Sequence, residues 1–180
     1  FLMIRANETG ERVPFTFADW NAEEGWVEFI FMVIGKTTEM LSSFEEGDYL
    51  TDVTGPLGRP TEMSEGTWAV IGGGVGLAIA FPVARQLKAT GHEVHAIMGA
   101  RTKDLLLLED QFREVLDDDH VHITTDDGSY GEKGVVTAPL ERLLEAKAVD
   151  HVFCVGPVPM MKFSALTAEK YGTPITASLN

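Results

Sequence analysis

The stretch Trp68-Ala69-Val70-Ile71-Gly72-Gly73-Gly74-Val75-Gly76-Leu77-Ala78 decides the fold. A short apolar strand runs into a glycine-rich turn, and an apolar helix starts on its far side. Glycines let the backbone turn tightly and come close to a pyrophosphate. The helix start adds unpaired N–H groups and the positive end of a dipole. The spacing departs from the G-x-G-x-x-G of dinucleotide-binding dehydrogenases, since Leu77 stands where the third glycine would be. A tight turn with no ligand is the bland alternative.

Outward from this turn, strand and helix alternate. Strands are predicted at Trp68–Ile71, Val94–Met98, Val121–Thr124, His151–Val155 and Ile175–Ala177, and helices at Gly76–Thr90, Leu106–Leu116, Ala138–Ala146 and Pro159–Tyr171. That rhythm predicts a five-stranded, doubly wound parallel sheet with right-handed crossovers. Glycine and polar residues fall after the strands, in Gly99-Ala100-Arg101, Thr125-Asp126-Asp127-Gly128 and Gly156-Pro157-Val158-Pro159-Met160. In a parallel sheet these ends share one edge, where open α/β folds bind ligands. Candidate cofactor-binding residues are therefore Gly72, Gly73, Gly74, Val75, Gly76, Gly99, Arg101, Asp127, Gly128, Gly156, Pro157 and Met160. No acidic residue ends the second strand, so the carboxylate that reads a ribose 2′-OH is not visible, and NADH and NADPH both stay open.

Upstream the texture is strands and turns. Short strands are expected at Phe1–Arg5 and Val13–Phe17, a longer buried strand at Trp26–Ile34, and another at Tyr49–Val53. Thr37 or Thr38 would cap a short helix reaching Phe44. A loop over 55–60 and a polar linker over 61–66 follow. The expected organisation is a small β-barrel-like domain over 1–65 and an α/β domain over 66–180. The chain opens as if in mid-strand and closes on a strand, so a piece of a longer protein is expected.

Of 180 residues, 14 are Lys or Arg and 28 are Asp or Glu, a formal net charge of -14 that speaks against nucleic acid. The mean hydropathy of +0.02 and the short apolar runs give no membrane span. The one cysteine, Cys154, allows no intrachain disulfide and suits a reducing, cytoplasmic compartment.

Arg12 to Asp19, Gly35 to Thr38, Gly55-Pro56-Leu57-Gly58, the Gly72 turn, Asp127 to Gly131, and Gly156-Pro157 with Met160 together resemble the ferredoxin reductase-like flavoproteins. Within them the chain looks like the electron-transfer subunit of dihydroorotate dehydrogenase B and the small subunit of NADH-dependent ferredoxin:NADP oxidoreductase. The resemblance implies an FAD-binding barrel, incomplete here, followed by an NAD(P)-binding domain. It implies that Arg12, Pro14, Phe15 and Thr16 contact the flavin, and that Gly35, Lys36, Thr37 and Thr38 cradle the FAD pyrophosphate. It also implies hydride transfer from NAD(P)H to FAD, and onward transfer through a 2Fe-2S cluster to a larger catalytic subunit, dihydroorotate dehydrogenase-like or of the ferredoxin:NADP oxidoreductase kind. The cluster's four cysteines would lie beyond Asn180. Two positions depart from the family pattern. Val13 stands where a basic residue is usual, and Cys154 is displaced by one from the family's Cys-Gly-Pro, onto the opposite strand face.

No side chain is expected to do acid–base catalysis. His120 and His122 share a strand face with no third ligand evident, so they read as satisfied or exposed histidines and no metal site is expected. Other readings are a nucleotide-binding regulatory or scaffold module without redox chemistry, and the flavin subunit of a hydrogenase-type complex.

Overall fold

The computed structural model describes residues 1–59 and 61–179; Pro60, expected in a loop, and Asn180, expected to close the last strand, lie outside them. The chain divides into two compact units, Phe1–Glu62 and Met63–Asn180.

The first unit contains β1 (Leu2–Arg5), β2 (Val13–Phe15), β3 (Asp19–Asn21), β4 (Trp26–Glu28), α1 (Lys36–Leu41) and β5 (Asp52–Thr54). β1 lies between β2 and β5, antiparallel to both, and buries Leu2 and Ile4 while Met3 and Arg5 stay half-buried. β3 and β4 form a separate hairpin. Three expectations are corrected. The strand read over Trp26–Ile34 ends at Glu28, and Met32, Val33 and Ile34 are exposed, Ile34 by 81%. β4 has a ladder partner only over Asp19–Asn21, and an apolar run without a partner has nothing to make it a strand. α1 is capped by Gly35, not by Thr37 or Thr38, and stops at Leu41. Thr38 acts from inside the helix, its Oγ1 accepting the N–H groups of Ile34 and Gly35, each at 3.0 Å. The last strand starts at Asp52, leaving Tyr49 90% exposed, because the register with β1 begins at Asp52↔Arg5.

The second unit contains β6 (Trp68–Gly73), α2 (Leu77–Ala89), β7 (Val94–Ala100), α3 (Glu109–Val115), β8 (Val121–Thr125), β9 (Glu132–Lys133), α4 (Thr137–Glu145), β10 (His151–Val155), α5 (Val158–Lys170) and β11 (Ile175–Ser178). The strand order is β11-β10-β6-β7-β8-β9, parallel throughout. The sheet thus has six strands rather than five. The added one, β9, is two residues long, too short for any periodicity to announce. Alternation along each strand feeds two cores. Val70, Ala96, Met98, Phe153 and Val155 pack with Leu77, Phe81 and Leu87 of α2 and Phe112 of α3. On the other face, Ile71, Ile97, Val152 and Cys154 pack with Leu140 and Leu144 of α4 and Met161 of α5. The third helix starts three residues later than Leu106, because Leu108 adopts φ 60 and interrupts the helical path. Among the described residues no helix is long and apolar enough to cross a membrane.

Candidate functional site

β6 is the first strand of the sheet. From it the chain runs outward through β7, β8 and β9, then crosses to β10 and β11 on the other side. The strand order therefore reverses between β6 and β10, and their C-terminal ends flank the crevice such sheets use for ligands. After β6 the chain makes a 3-10 turn over Gly74–Gly76 and enters α2. Gly74 has φ +57 with nothing within 4 Å of where a Cβ would stand, a left-handed conformation facing open space. Gly76 is the opposite case: a Cβ there would lie 2.5 Å from the Val155 carbonyl oxygen and 2.9 Å from Gly156 Cα. The two loops can lie this close only because neither carries a side chain. Met160, in the first turn of α5, seals the contact against Gly73 and Gly156.

α2 and α5 both begin at this crevice. Neither start has a side-chain cap or an acidic residue in its first turn, and Pro157 and Pro159 sit at the start of α5. Two helix N-termini without side-chain caps, α2 entered through the 3-10 turn whose carbonyls take the Leu77 N–H, make a place for anionic oxygen atoms. The 590 Å³ hollow of this unit, lined by Leu144, Glu145, Lys147, Asp150, Tyr171 and their neighbours, is at the opposite edge of the sheet and shares no residue with the crevice.

The other predicted positions share the crevice edge. Gly99, in β7, leaves room for Val136, whose Cγ1 would be 2.5 Å from a Cβ. Arg101 follows β7 and is exposed, its guanidinium meeting no carboxylate among the described residues. After β8, the Ser129 hydroxyl and backbone N–H hold the Asp127 carboxyl below its ordinary pKa, the N–H at 2.9 Å. Thr125, Ser129 and Tyr130, which the sequence places after the third strand without a role, brace this loop. Thr125 Oγ1 donates to the Tyr130 carbonyl at 2.6 Å and accepts the Tyr130 N–H at 3.1 Å. Ser129 Oγ accepts the Lys103 N–H at 2.9 Å, tying the loops after β7 and β8 together. The Tyr130 hydroxyl donates to Glu109 at 2.7 Å, and this hydrogen bond to a carboxylate raises its pKa.

In the first unit, Arg12 is committed to Asp52, its Nε donating to Oδ2 at 2.8 Å. Phe15 stacks on Phe29 with ring centroids 4.9 Å apart and meets Phe31 at 5.6 Å. Pro14 is exposed and Thr16 half-buried. Gly35 to Thr38 form the start of α1, where Thr38 occupies the donors of Ile34 and Gly35. Lys36 and Thr37 border a hollow of 250 Å³ that Asn7 and Met40 also line.

Cys154 is fully buried, and that burial pushes its thiol up to about 11. One histidine placement is corrected: His120 belongs to a 3-10 turn before β8, not to the strand that holds His122, and Glu93 and His95 stand beside it. Sequence distance hid the group, since β7 and β8 are joined through α3. Burial first, then the neighbouring His120 and His122, hold the His95 imidazole at a pKa of about 4.

The sheet order and the crevice define a ferredoxin reductase-like nucleotide-binding unit. The family of oxidoreductase NAD-binding domains matches residues 70–165, just over half of the chain. A Thermotoga maritima protein, the dihydroorotate dehydrogenase B (NAD(+)) electron transfer subunit homolog, is 46% identical over all of this chain and 63% of its own length. The electron transfer subunit of dihydroorotate dehydrogenase B (NAD(+)) from Geobacillus thermodenitrificans is 32% identical over 99% of this chain and 69% of its own. Among solved structures, one described as the NADH-dependent reduced ferredoxin-NADP oxidoreductase, in a study of flavin-based electron bifurcation, matches with a TM-score of 0.89. It is 45% identical over 100% of this chain and 64% of that one. The chain belongs to the oxidoreductase NAD-binding family, in the branch of the dihydroorotate dehydrogenase B electron-transfer subunits. It spans about 63% of the length of the Thermotoga relative.

Proposed function

We propose that the second unit binds NADH or NADPH at the β6–β10 crevice, and that the first unit holds an FAD to which the nucleotide's reducing equivalents pass. The observation that carries the reading is the pair of uncapped helix N-termini at the point where strand order reverses. When bound, the nicotinamide nucleotide and the flavin would supply the hydride-transfer chemistry. The chain's own residues do the positioning. The N–H groups at the starts of α2 and α5 bind the nucleotide's phosphates. Gly73, Gly76 and Gly156 keep the crevice free of side chains, and Met160 and Pro157 shape its floor. Thr125, Ser129 and Lys103 fix the loops beside it. Arg101, with no carboxylate partner among the described residues, offers its guanidinium to a phosphate at the end of β7. No side chain moves a proton, and the protein's work is orientation.

Fit to FAD is carried by the half-buried aromatic cluster of Phe15, Phe29 and Phe31 and by Lys36 and Thr37 at the start of α1. Arg12 must exchange Asp52 for the flavin if it takes part. A 2Fe-2S cluster does not fit this chain, because four cysteine ligands are needed and one buried cysteine is present. The onward acceptor is a larger catalytic oxidoreductase subunit, as the names of the relatives suggest, and a reducing, cytoplasmic setting suits the unpaired thiol.

Calorimetric titration with NADH and NADPH, beside a visible spectrum recorded before and after anaerobic addition of each, tests the proposal. The expected result is saturable binding of at least one nucleotide, and a flavin band near ~450 nm that bleaches on its addition. Absence of heat with both nucleotides overturns the binding site. Binding without a flavin band in protein purified with added FAD supports instead a nucleotide-binding module without redox chemistry.

A further inference from the structure

Away from the crevice, at the opposite edge of the same sheet, nitrogen and oxygen donors converge. Glu93 immediately precedes β7 and His95 is its second residue; His120 immediately precedes β8 and His122 is its second residue. The parallel register pairs Ala96 with Val121, which sets His95 beside His120 and diagonal to His122. The His95 ring lies 4.6 Å from that of His120 and 5.5 Å from that of His122. One ligand atom from each of Glu93, His95 and His120 falls within 4.8 Å of the others.

One separation matches a coordination sphere. Tetrahedral zinc with bonds of 2.0–2.1 Å holds its ligand atoms about 3.3–3.4 Å apart. His120 Nε2 and Glu93 Oε1 are 3.3 Å apart. His95 Nδ1 and His122 Nε2, also 3.3 Å apart, are at hydrogen-bonding distance. Nδ1 of His120 is buried with no hydrogen-bond partner among the described residues, and Nε2, beside Glu93, is the nitrogen that faces the group. Neighbouring charge comes from Glu93 on one side and from Arg142 and Glu132 beside His122 on the other.

We propose that Glu93, His95 and His120 bind a zinc ion, with water in the fourth position and His122 as the positioning residue. His122 accepts the Nδ1 proton of His95 and so leaves His95 Nε2 for the metal, as outer-shell partners of ligating histidines do. Imidazole nitrogen with one carboxylate is a donor set suited to zinc. The site is on the N-terminal edge of β7 and β8, so the ion plays no part in hydride transfer at the C-terminal edge. It clips the starts of two neighbouring strands together.

The test uses tag-free protein stripped with a chelator, titrated with zinc chloride by calorimetry, melted with and without zinc, and studied by zinc X-ray absorption. The expected result is one saturable site per chain, a melting temperature that rises with zinc, and nitrogen or oxygen neighbours at about 2.0–2.1 Å with imidazole scattering. Glu93→Gln, at an exposed position, and the double variant H95N/H120N lose more than the ~10–100-fold that removing an outer-shell partner costs, whereas His122→Asn falls within that range. His92→Asn, whose ring is engaged by Leu87 and Thr90, leaves the affinity unchanged. Absence of saturable binding, a sulfur neighbour in the absorption spectrum, or equal affinity in Glu93→Gln and the parent overturns the site. Glu93→Gln and the absorption spectrum decide the matter if the double variant does not fold.

Discussion

Gly76→Ala isolates the closeness of the β6 and β10 loops from every other role of glycine in the crevice. Gly76 sits at φ -60, an ordinary helical value, so alanine there adds no backbone strain. Its Cβ, however, would lie 2.5 Å from the Val155 carbonyl oxygen and 2.9 Å from Gly156 Cα, where ordinary contact begins at 3.4 Å. Both neighbours are backbone, so no flexible side chain can yield. The loops must part by nearly an ångström, at the crevice where the proposed nucleotide would bind. Overpacking of this kind costs about 1–3 kcal/mol. Charged wholly against binding, that is roughly 5- to 150-fold in affinity. Gly91→Ala is the counterpart. At φ +89 with nothing within 4 Å, alanine strains the backbone by about 1–2 kcal/mol while leaving the crevice untouched. Calorimetric titration of both variants with the better-binding nucleotide, beside thermal melting, separates the effects. Gly76→Ala weakens the nucleotide, and Gly91→Ala lowers the melting temperature at unchanged affinity. Parent-like affinity in Gly76→Ala would refute the placement of the nucleotide between these loops, and so would an equal loss in Gly91→Ala.

Four further outcomes follow from single residues. The Asp127 carboxyl sits below its ordinary 3.8, so its hold on Ser129 is intact above that value and is lost as pH falls through the lower folded value. In NMR titration the Ser129 amide shift moves with a midpoint below pH 3.8 and stays flat in Asp127→Asn; a midpoint above 3.8 contradicts the hydrogen bonding. Cys154, with its thiol pushed to about 11, is about one part in a thousand thiolate at pH 8. A disulfide reagent therefore leaves the folded protein unlabelled and reacts once denaturant is added; rapid labelling of the native state would mean that Cys154 is not buried. Phe112→Ala empties a side chain that is 1% exposed and meets Phe81 edge-on at 5.3 Å, and urea denaturation should show a loss of about 3–5 kcal/mol, with Phe112→Leu losing less. Thr38→Ala frees the two N–H groups that its hydroxyl satisfies and costs about 1 kcal/mol, seen in the same experiment, while Thr38→Ser retains most of it.

The α/β unit was legible because its signals are local. The inner parallel strands β6, β7, β8 and β10 are largely buried on both faces and read as mostly apolar runs, and each run ends in glycine or a polar residue where the chain must turn over the sheet edge. The boundaries of β10, His151–Val155, emerge residue for residue, and α2, α4 and α5 start within one residue of their predicted positions. The misses in this unit are short or conformational. β9 is only two residues long and borrows its order from β8. The late start of α3 turns on one left-handed leucine, Leu108, a residue type with no preference for that conformation.

The first unit and the histidine group were hidden for a shared reason: each depends on partners remote in sequence. Trp26 to Ile34 is apolar enough to be a buried strand, and composition alone cannot say that its pairing stops at Glu28. What the run buries instead is aromatic, with Phe29 and Phe31 gathering on Phe15 from a different strand. The histidines show the same dependence in reverse. His120 and His122 look incomplete as a pair, and Glu93 and His95 look unremarkable 25 residues earlier. Parallel pairing of β7 with β8 makes one group of them, and it fixes their place at the N-terminal edge of the sheet. The glycine turns and the donor cluster thus occupy opposite edges of the same sheet. Substitutions in one group should leave the other's ligand affinity unchanged, since distant sites with no shared contacts act additively. A change in nucleotide affinity on zinc addition would therefore mean that β7 transmits strain along its length, a coupling that neither site's geometry requires.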